Sequence, residues 1–301
     1  MIMLNDNLKN KLNIAKNIAY DEPLSKYTTM RVGGNCDAVI DISGVDELSE
    51  LIDICKSEGI DYYILGRGSN VIAPDEGYNG IIMRIGSAMA SIELDGDIIR
   101  AGAGASLAAL AAFACDNGIA GFEALSGIPG LIGGAIRMNA GAYGTEVKDV
   151  LKSCTYLENG EIKTISAEDA DLSYRHSVFS AGGEKIIVAA TFDGSVKDDR
   201  ENIVARMNEL AKKRREKQPL ELPSAGSTFK RPEGYFAAKL IEDAGLKGYR
   251  MGGAEVSTKH SGFVVNVGNA TAADIKEVIR HVQKTVYDFS GVMLETEVIF
   301  I

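Results

Sequence analysis

An α+β chain of more than one domain is what this sequence predicts, and three observations carry that prediction. Strand-like and helix-like periodicities alternate over 39–65 and deliver the chain to GRGSN (66–70), beyond which lies an apolar run and not a helix. A glycine-rich stretch, SGIPGLIGGAIRMNAGAYG (126–144), is followed by strand-like segments at 153–158, 162–165 and 186–192. Pro219 and Pro223 then interrupt the chain ahead of a second mixed region. A length of 301 residues is long for one core and comfortable for two or three.

Taken in order, Val39–Ile42 reads as a strand, and Ser43 and Asp46 offer a helix cap. Leu48, Leu51, Ile52 and Cys55 recur at helical spacing until Gly59 stops them, and Tyr62–Leu65 is the next strand. This β-α-β unit leads into GRGSN, whose backbone amides could converge on an anion. The dinucleotide fingerprint nonetheless fails, because its third glycine would fall at Val71 and no helix follows; no P-loop motif occurs either. A phosphate site here requires a fold that uses a loop between strands. Ile98–Gly102 is a strand, and Ser106 to Asn117 is a helix of small residues stopped by Gly118.

The second glycine run brings backbone close to something, a ligand or a neighbouring element; spacing alone leaves both open. A helix at 203–217 (Ile203, Met207, Leu210, Ala211) ends in KKRREK, cations suited to a solvated helix C-terminus. Beyond the prolines come a helix at 235–244, a strand at 262–267 and a helix at 271–289. The last carries Ile275, Val278, Ile279, Val282, Val286 and Phe289 on one face, and a strand at 293–301 closes the chain.

Composition narrows the function. A net charge of −10 with no Trp argues against a nucleic-acid surface. Cys36, Cys55, Cys115 and Cys154 form no C-x-x-C pair, so reduced thiols are expected and a zinc site is not. His176, His260 and His281 are too dispersed for a metal. The N-terminal MIMLNDNLKNKLNIAKN is too polar for a signal peptide, and the run Ala103–Cys115 falls short of the ~20 residues of a membrane span. A cytoplasmic protein without a membrane span is expected.

Three segments carry candidate chemistry. PSAGSTFKRP (223–232) sets the hydroxyls of Ser227 and Thr228 beside Lys230 and Arg231, an arrangement that binds an anion and moves a proton near it, or else a plain turn with surface cations. LSYRHSVF (172–179) presents Arg175. LETEV (294–298) puts Glu295 and Glu297 on one strand face, solvent-facing unless a cleft receives them.

Together with TTMRVGGNCD (28–37), ILGRGSNVI (64–72) and GIPGLIGGAIRMNAGAYG (127–144), these segments occur in an order in which the chain resembles the UDP-N-acetylenolpyruvoylglucosamine reductase (MurB) family, flavoenzymes of peptidoglycan precursor synthesis, over nearly its whole length. The resemblance implies a vanillyl-alcohol-oxidase (PCMH) type FAD-binding fold: two α+β subdomains, at 1–85 and 86–200, a linker helix at 201–218, and a C-terminal α+β substrate-binding domain at 219–301 whose last strand is a candidate to return to the first subdomain. It implies non-covalent FAD held by Arg31, Gly33, Gly66, Arg67, Gly68, Ser69, Asn70, Gly127, Ile128, Pro129, Gly130, Gly133, Gly134, Asn139 and Gly141.

It further implies that NADPH reduces the flavin, which then passes hydride to the enolpyruvyl ether of UDP-N-acetylglucosamine. By the family's pattern Arg175 and Glu297 stabilise the resulting enediolate-like charge, and Ser227 gives a proton to the neighbouring carbon. Some members insert a tyrosine-bearing loop between the arginine and serine motifs. This sequence has no Tyr between Tyr174 and Tyr235 and resembles the shorter type, leaving UDP contacts to Arg231, Lys239, Lys259 or His260. No obligate protein partner is implied. A flavin oxidase of the same fold acting on a hydroxy acid or sugar lactone, and a non-catalytic nucleotide-binding module, are the competing readings.

Overall fold

The computed structural model of the chain describes residues 6–180 and 184–301. Its first sheet has four strands in the spatial order Ile18–Pro23, Asn35–Ile42, Tyr78–Ile85 and Tyr62–Leu65. Asn35–Ile42, antiparallel to Ile18–Pro23 and parallel to Tyr78–Ile85, is buried almost throughout because a core cluster covers each of its faces. The helix Val45–Glu58 packs Leu48, Leu51, Ile52 and Cys55 inward and ends at Gly59, whose left-handed φ of 65° lets its N–H reach the last carbonyls. The β-α-β expectation needs correcting in one respect. Asn35–Ile42 and Tyr62–Leu65 are parallel but not neighbours, because Tyr78–Ile85 lies between and pairs with both. Ile81, Ile82 and Met83 are fully buried, which fits the centre of a sheet, whereas Tyr62–Leu65 is mostly half-buried and fits an edge.

The second sheet is antiparallel, in the order Glu161–Ser166, Leu151–Glu158, Ile186–Asp193, Ile98–Gly102 and Ile92–Asp95. The helix Ile132–Arg137 packs on this sheet, and the small-residue helix Leu107–Asp116, capped by the Ser106 hydroxyl accepting from the Ala109 N–H at 3.0 Å, shares its buried cluster. One continuous buried cluster, from Leu8 to Phe192, joins both sheets, with Phe122 and Phe192 edge to face at 6.2 Å.

A third, three-stranded sheet (Arg250–Met251, Ala254–Val256, Val264–Asn266) is backed by the helix Ala272–Ser290. That helix starts with a capping box, Thr271 and Asp274, and buries Ile275, Val278, Ile279, Val282 and Val286. Phe289, expected on the same face, is exposed because the final turn runs beyond the core cluster. Backbone and side-chain contacts, among them a separate two-stranded ladder, fasten this region to residues 29–75. Ile299–Phe300 pairs in parallel with Val71–Ile72, and the Asp75 carboxylate accepts the N–H groups of Ala272 and Ala273 at 2.7 and 2.9 Å. Of the strand expected over 293–301, only Ile299–Phe300 belongs to a ladder; Thr296 makes an isolated bridge to Phe229.

Candidate active site

Between the two sheets lies a cavity of about 620 Å³, within the range of cofactor sites. Residues 62–71 line one wall; Ile128, Gly130, Leu131, Gly133, Gly134 and Arg137 line the other, and Arg175, Lys230 and Glu297 stand at its edge. GRGSN owes its shape to Gly68. A Cβ there would sit 2.2 Å from the Tyr27 carbonyl oxygen, and φ is +66°. The preceding threonines lock this approach: Thr29 N–H donates to the Gly68 carbonyl at 3.1 Å, and its hydroxyl reaches the Ser224 carbonyl at 2.6 Å.

Asn70 links the loop to the far end of the chain. Its Nδ2 donates to the Glu297 carbonyl at 2.9 Å, and its own carbonyl accepts the Ile299 N–H at 2.9 Å. Glu297 is thereby aimed at the cavity. Its partner is Arg175, whose Nε donates to Oε1 at 2.7 Å while Nη2 donates to the Gly141 carbonyl at 3.3 Å. The side chains of Arg175 and Glu297 are only 15% and 9% exposed, whereas that of Glu295 is 74% exposed, so a cleft receives one carboxylate of the LETEV pair and solvent the other. Burial raises the Glu297 pKa above the ordinary carboxylate value, outweighing the opposing pull of Arg175 and Lys230.

Arg175 occupies the left-handed region, with φ of 55°. That conformation costs a side-chain-bearing residue about 1–2 kcal/mol and persists where surrounding contacts enforce it.

Comparison with known proteins decides the family. Residues 218–301 match the UDP-N-acetylenolpyruvoylglucosamine reductase C-terminal domain, and residues 36–166 match the FAD binding domain. A UDP-N-acetylenolpyruvoylglucosamine reductase of Agathobacter rectalis is 48% identical, with 92% of each chain covered, and one of Caldanaerobacter subterraneus subsp. tengcongensis is 44% identical over 98% of this chain and 97% of its own. The chain belongs to the UDP-N-acetylenolpyruvoylglucosamine reductase family. The crystal structure of UDP-N-acetylenolpyruvylglucosamine reductase (MurB) from Thermus caldophilus superposes with a TM-score of 0.80 at 32% identity, covering 94% of this chain and 98% of that one. The fold is therefore the vanillyl-alcohol-oxidase type of α+β FAD-binding fold with a C-terminal α+β domain.

The cavity fits the dinucleotide of a MurB protein. A Cβ added at Gly134 would meet nothing within 4 Å, so that side of the wall is open, and Gly66 meets only the Leu131 side chain. No His or Cys is among the lining residues. All four cysteines are buried and free, and burial pushes the Cys55 and Cys154 thiols up to about 12. Among the described residues, no group of three or more His, Cys, Asp or Glu could hold a metal ion, and no helix is long and apolar enough to cross a membrane.

The residues implied for FAD divide. Gly66, Arg67, Gly68, Ser69, Asn70, Ile128, Gly130, Gly133 and Gly134 line the cavity; Arg31, Gly33, Gly127, Pro129, Asn139 and Gly141 do not. Gly33 packs on Ala73, and Gly127 is bare because the Arg214 side chain crosses it. Asn139 is wholly buried and bonded inside the protein. Gly141 borders a second, open cleft of about 770 Å³ with Tyr143, Tyr174, Arg175 and Arg231.

Ser227 is half-buried, one residue before Thr228, whose carbonyl accepts the Glu297 N–H at 2.8 Å; it is not among the lining residues of either cleft. Lys239, Lys259 and His260 line neither. Lys239 pairs with Asp243, Lys259 lies 3.6 Å from Glu221, and His260 packs edge-on to Phe263.

Three residues escaped the sequence reading. Tyr174 supports Arg175 with its ring, 4.9 Å away, and accepts the Arg231 N–H at 3.0 Å. Tyr63 and Arg137 face each other in the cavity wall. Tyr174 lies in LSYRHSVF and Arg137 in GIPGLIGGAIRMNAGAYG, but only the fold shows which way they face.

Proposed function

We propose that this protein reduces the enolpyruvyl ether of UDP-N-acetylglucosamine to UDP-N-acetylmuramate with hydride from NADPH. The observation that carries the reading is the Arg175–Glu297 pair, joined at 2.7 Å across 122 positions at the edge of a dinucleotide-sized cavity. FAD, when bound, relays the hydride between NADPH and the substrate's terminal vinyl carbon. The Gly66–Asn70 loop and Gly130 and Gly134 opposite it would hold the cofactor.

The chain's own groups do the rest. Two of the five Arg175 N–H donors are engaged by Glu297 and Gly141, leaving the others for the substrate carboxylate. As hydride arrives, charge gathers on those carboxyl oxygens. Glu297, kept more protonated than a solvated acid by its burial, donates a hydrogen bond there. Ser227 holds at its Oγ the proton for the adjacent carbon; the segment it belongs to is locked to Glu297 through Thr228, and Lys230 lies close by.

Of the four side chains considered for UDP, Arg231 is best placed, stacked 3.9 Å over Phe236 beside the open cleft that Arg175 shares. The division at 85, 200 and 218 belongs to this reading, supported by a C-terminal buried cluster that takes only Met30, Val32 and Ile72 from the N-terminal side. So does a cytoplasmic location. Anaerobic mixing tests the reaction: NADPH bleaches the yellow protein and the enolpyruvyl substrate restores its colour. Bleaching without substrate-dependent recovery contradicts it.

A further inference from the structure

Resting on the role just given to Arg175, we infer that Asn139 and Ser177 are positioning residues that bolt the Arg175 turn onto the end of the glycine run. The turn itself is short. Ser173 and His176 exchange both backbone hydrogen bonds, at 3.2 and 3.1 Å, and place Arg175 at the tip with a left-handed φ of 55°. Two backbone bonds leave such a tip free to flip to a relaxed conformation, which would carry the guanidinium away from Glu297.

What prevents the flip lies outside the turn. On its leading side, Asn139 Nδ2 donates to the Ser173 carbonyl at 3.0 Å and to Glu146 Oε2 at 3.1 Å, while its Oδ1 accepts the Lys148 N–H at 3.0 Å. Asn139 is itself left-handed, with φ of 42°, a conformation that Asn tolerates better than most residues, and it has no exposed surface. On the trailing side, the fully buried Ser177 hydroxyl donates to the Arg137 carbonyl at 2.6 Å and accepts the Phe179 N–H at 3.2 Å. The Gly141 carbonyl completes the set by accepting from Arg175 Nη2.

Residues 137–141 thus hold the turn at its start, its tip and its end. Their nearest neighbours in sequence line the cofactor cavity, so the geometry of Arg175 is referred to the wall that faces the flavin. The asparagine of MNAGA is needed for the substrate's anchor and makes no contact with the cavity.

A double-mutant cycle on the anaerobic half-reactions tests this. In Asn139→Ala, bleaching by NADPH and retention of FAD should match the parent, while recolouring by the enolpyruvyl substrate slows by roughly 10- to 100-fold, the scale of a displaced catalytic group. In an Arg175→Ala background the same change should add almost nothing, because the group it positions is gone. Equal slowing of both half-reactions, loss of FAD, or additivity with Arg175→Ala would overturn the inference. Should Asn139→Ala fail to fold, Ser177→Ala enters the same cycle with the same criteria. Arg175→Ala that recolours at the parent rate would instead remove the role of Arg175 itself, and is distinguished by that single variant.

Discussion

The GRGSN loop and the Arg175–Glu297 pair meet in one cavity and are built in opposite ways. The loop is contiguous, and its shape follows from Gly68, which no other residue can replace against the Tyr27 carbonyl. The pair joins positions 122 apart, and neither side chain reaches its place through local rules: Glu297 is aimed by Asn70, and Arg175 is held in an unfavourable backbone conformation by buried neighbours. On the proposed function, local geometry would bind the cofactor and long-range packing would supply the chemistry. Damage to the first should remove flavin. Damage to the second should leave a yellow protein that cannot turn over.

The sharpest break is predicted at Ser227. Ser227→Ala should retain FAD and bleach normally with NADPH, yet lose on the order of 100- to 10,000-fold in turnover of the enolpyruvyl substrate, the range for removing a positioned acid. Steady-state rates near the parent's would take serine out of the mechanism.

Gly68→Ala attacks the other side of the comparison. Forcing a Cβ to 2.2 Å from a backbone oxygen should shift the loop, lower stability by about 1–3 kcal/mol and yield protein largely free of flavin. The ratio of flavin to protein absorbance reports it, and full occupancy with an unchanged melting temperature would refute the cradle.

Gly134→Ala sharpens the same point with opposite signs. Its methyl enters open space on a helix, so the flavin-free protein should melt slightly higher, by up to ~1 kcal/mol of helix preference. FAD affinity should meanwhile fall about tenfold, the lower end of an overpacking penalty. Titration of apoprotein with FAD measures the second effect; unaltered affinity would place Gly134 outside the cofactor's envelope.

The smallest effect belongs to Glu297→Gln. Burial raises the Glu297 pKa, so the neutral acid favours the folded state; that stabilisation is complete below the ordinary value of 4.5 and is lost as pH rises through the higher folded value. A permanently neutral Gln should therefore melt above the parent in alkaline buffer, with the gap closing on acidification. Melting curves across pH in which the gap widens toward acid would reverse the assignment.

The same contrast explains what could be read from the chain alone. The helices Val45–Glu58 and Ala272–Ser290 were legible because periodicity and a stop glycine agree in each, although Val45–Glu58 starts at Gly44 without the side-chain cap expected of Ser43 or Asp46. Gly66–Asn70 was legible because the loop is contiguous and the missing helix is itself informative. The insertion of Tyr78–Ile85 between the first two parallel strands was not, since strand order is a property of the whole sheet.

Arg175 and Glu297 could be named only through the ordered motifs, as alternation makes Glu295 and Glu297 equivalent and only the cavity separates them. Asn139 shows the converse: its motif pointed to the cofactor, and its side chain is spent inside the protein. Lys239, Lys259 and His260 had only their charge or hydrogen-bonding capacity to recommend them, and the fold sends them elsewhere.

A single-turnover experiment on Arg175→Lys tests the central claim most directly. Lysine keeps the charge but offers the substrate carboxylate no two-pronged contact. The enzyme, bleached anaerobically by NADPH at the parent rate and then mixed with the enolpyruvyl substrate, should regain its yellow colour 100- to 1000-fold more slowly, on the order expected for losing one fixed electrostatic donor. Recovery as fast as in the parent would contradict the account.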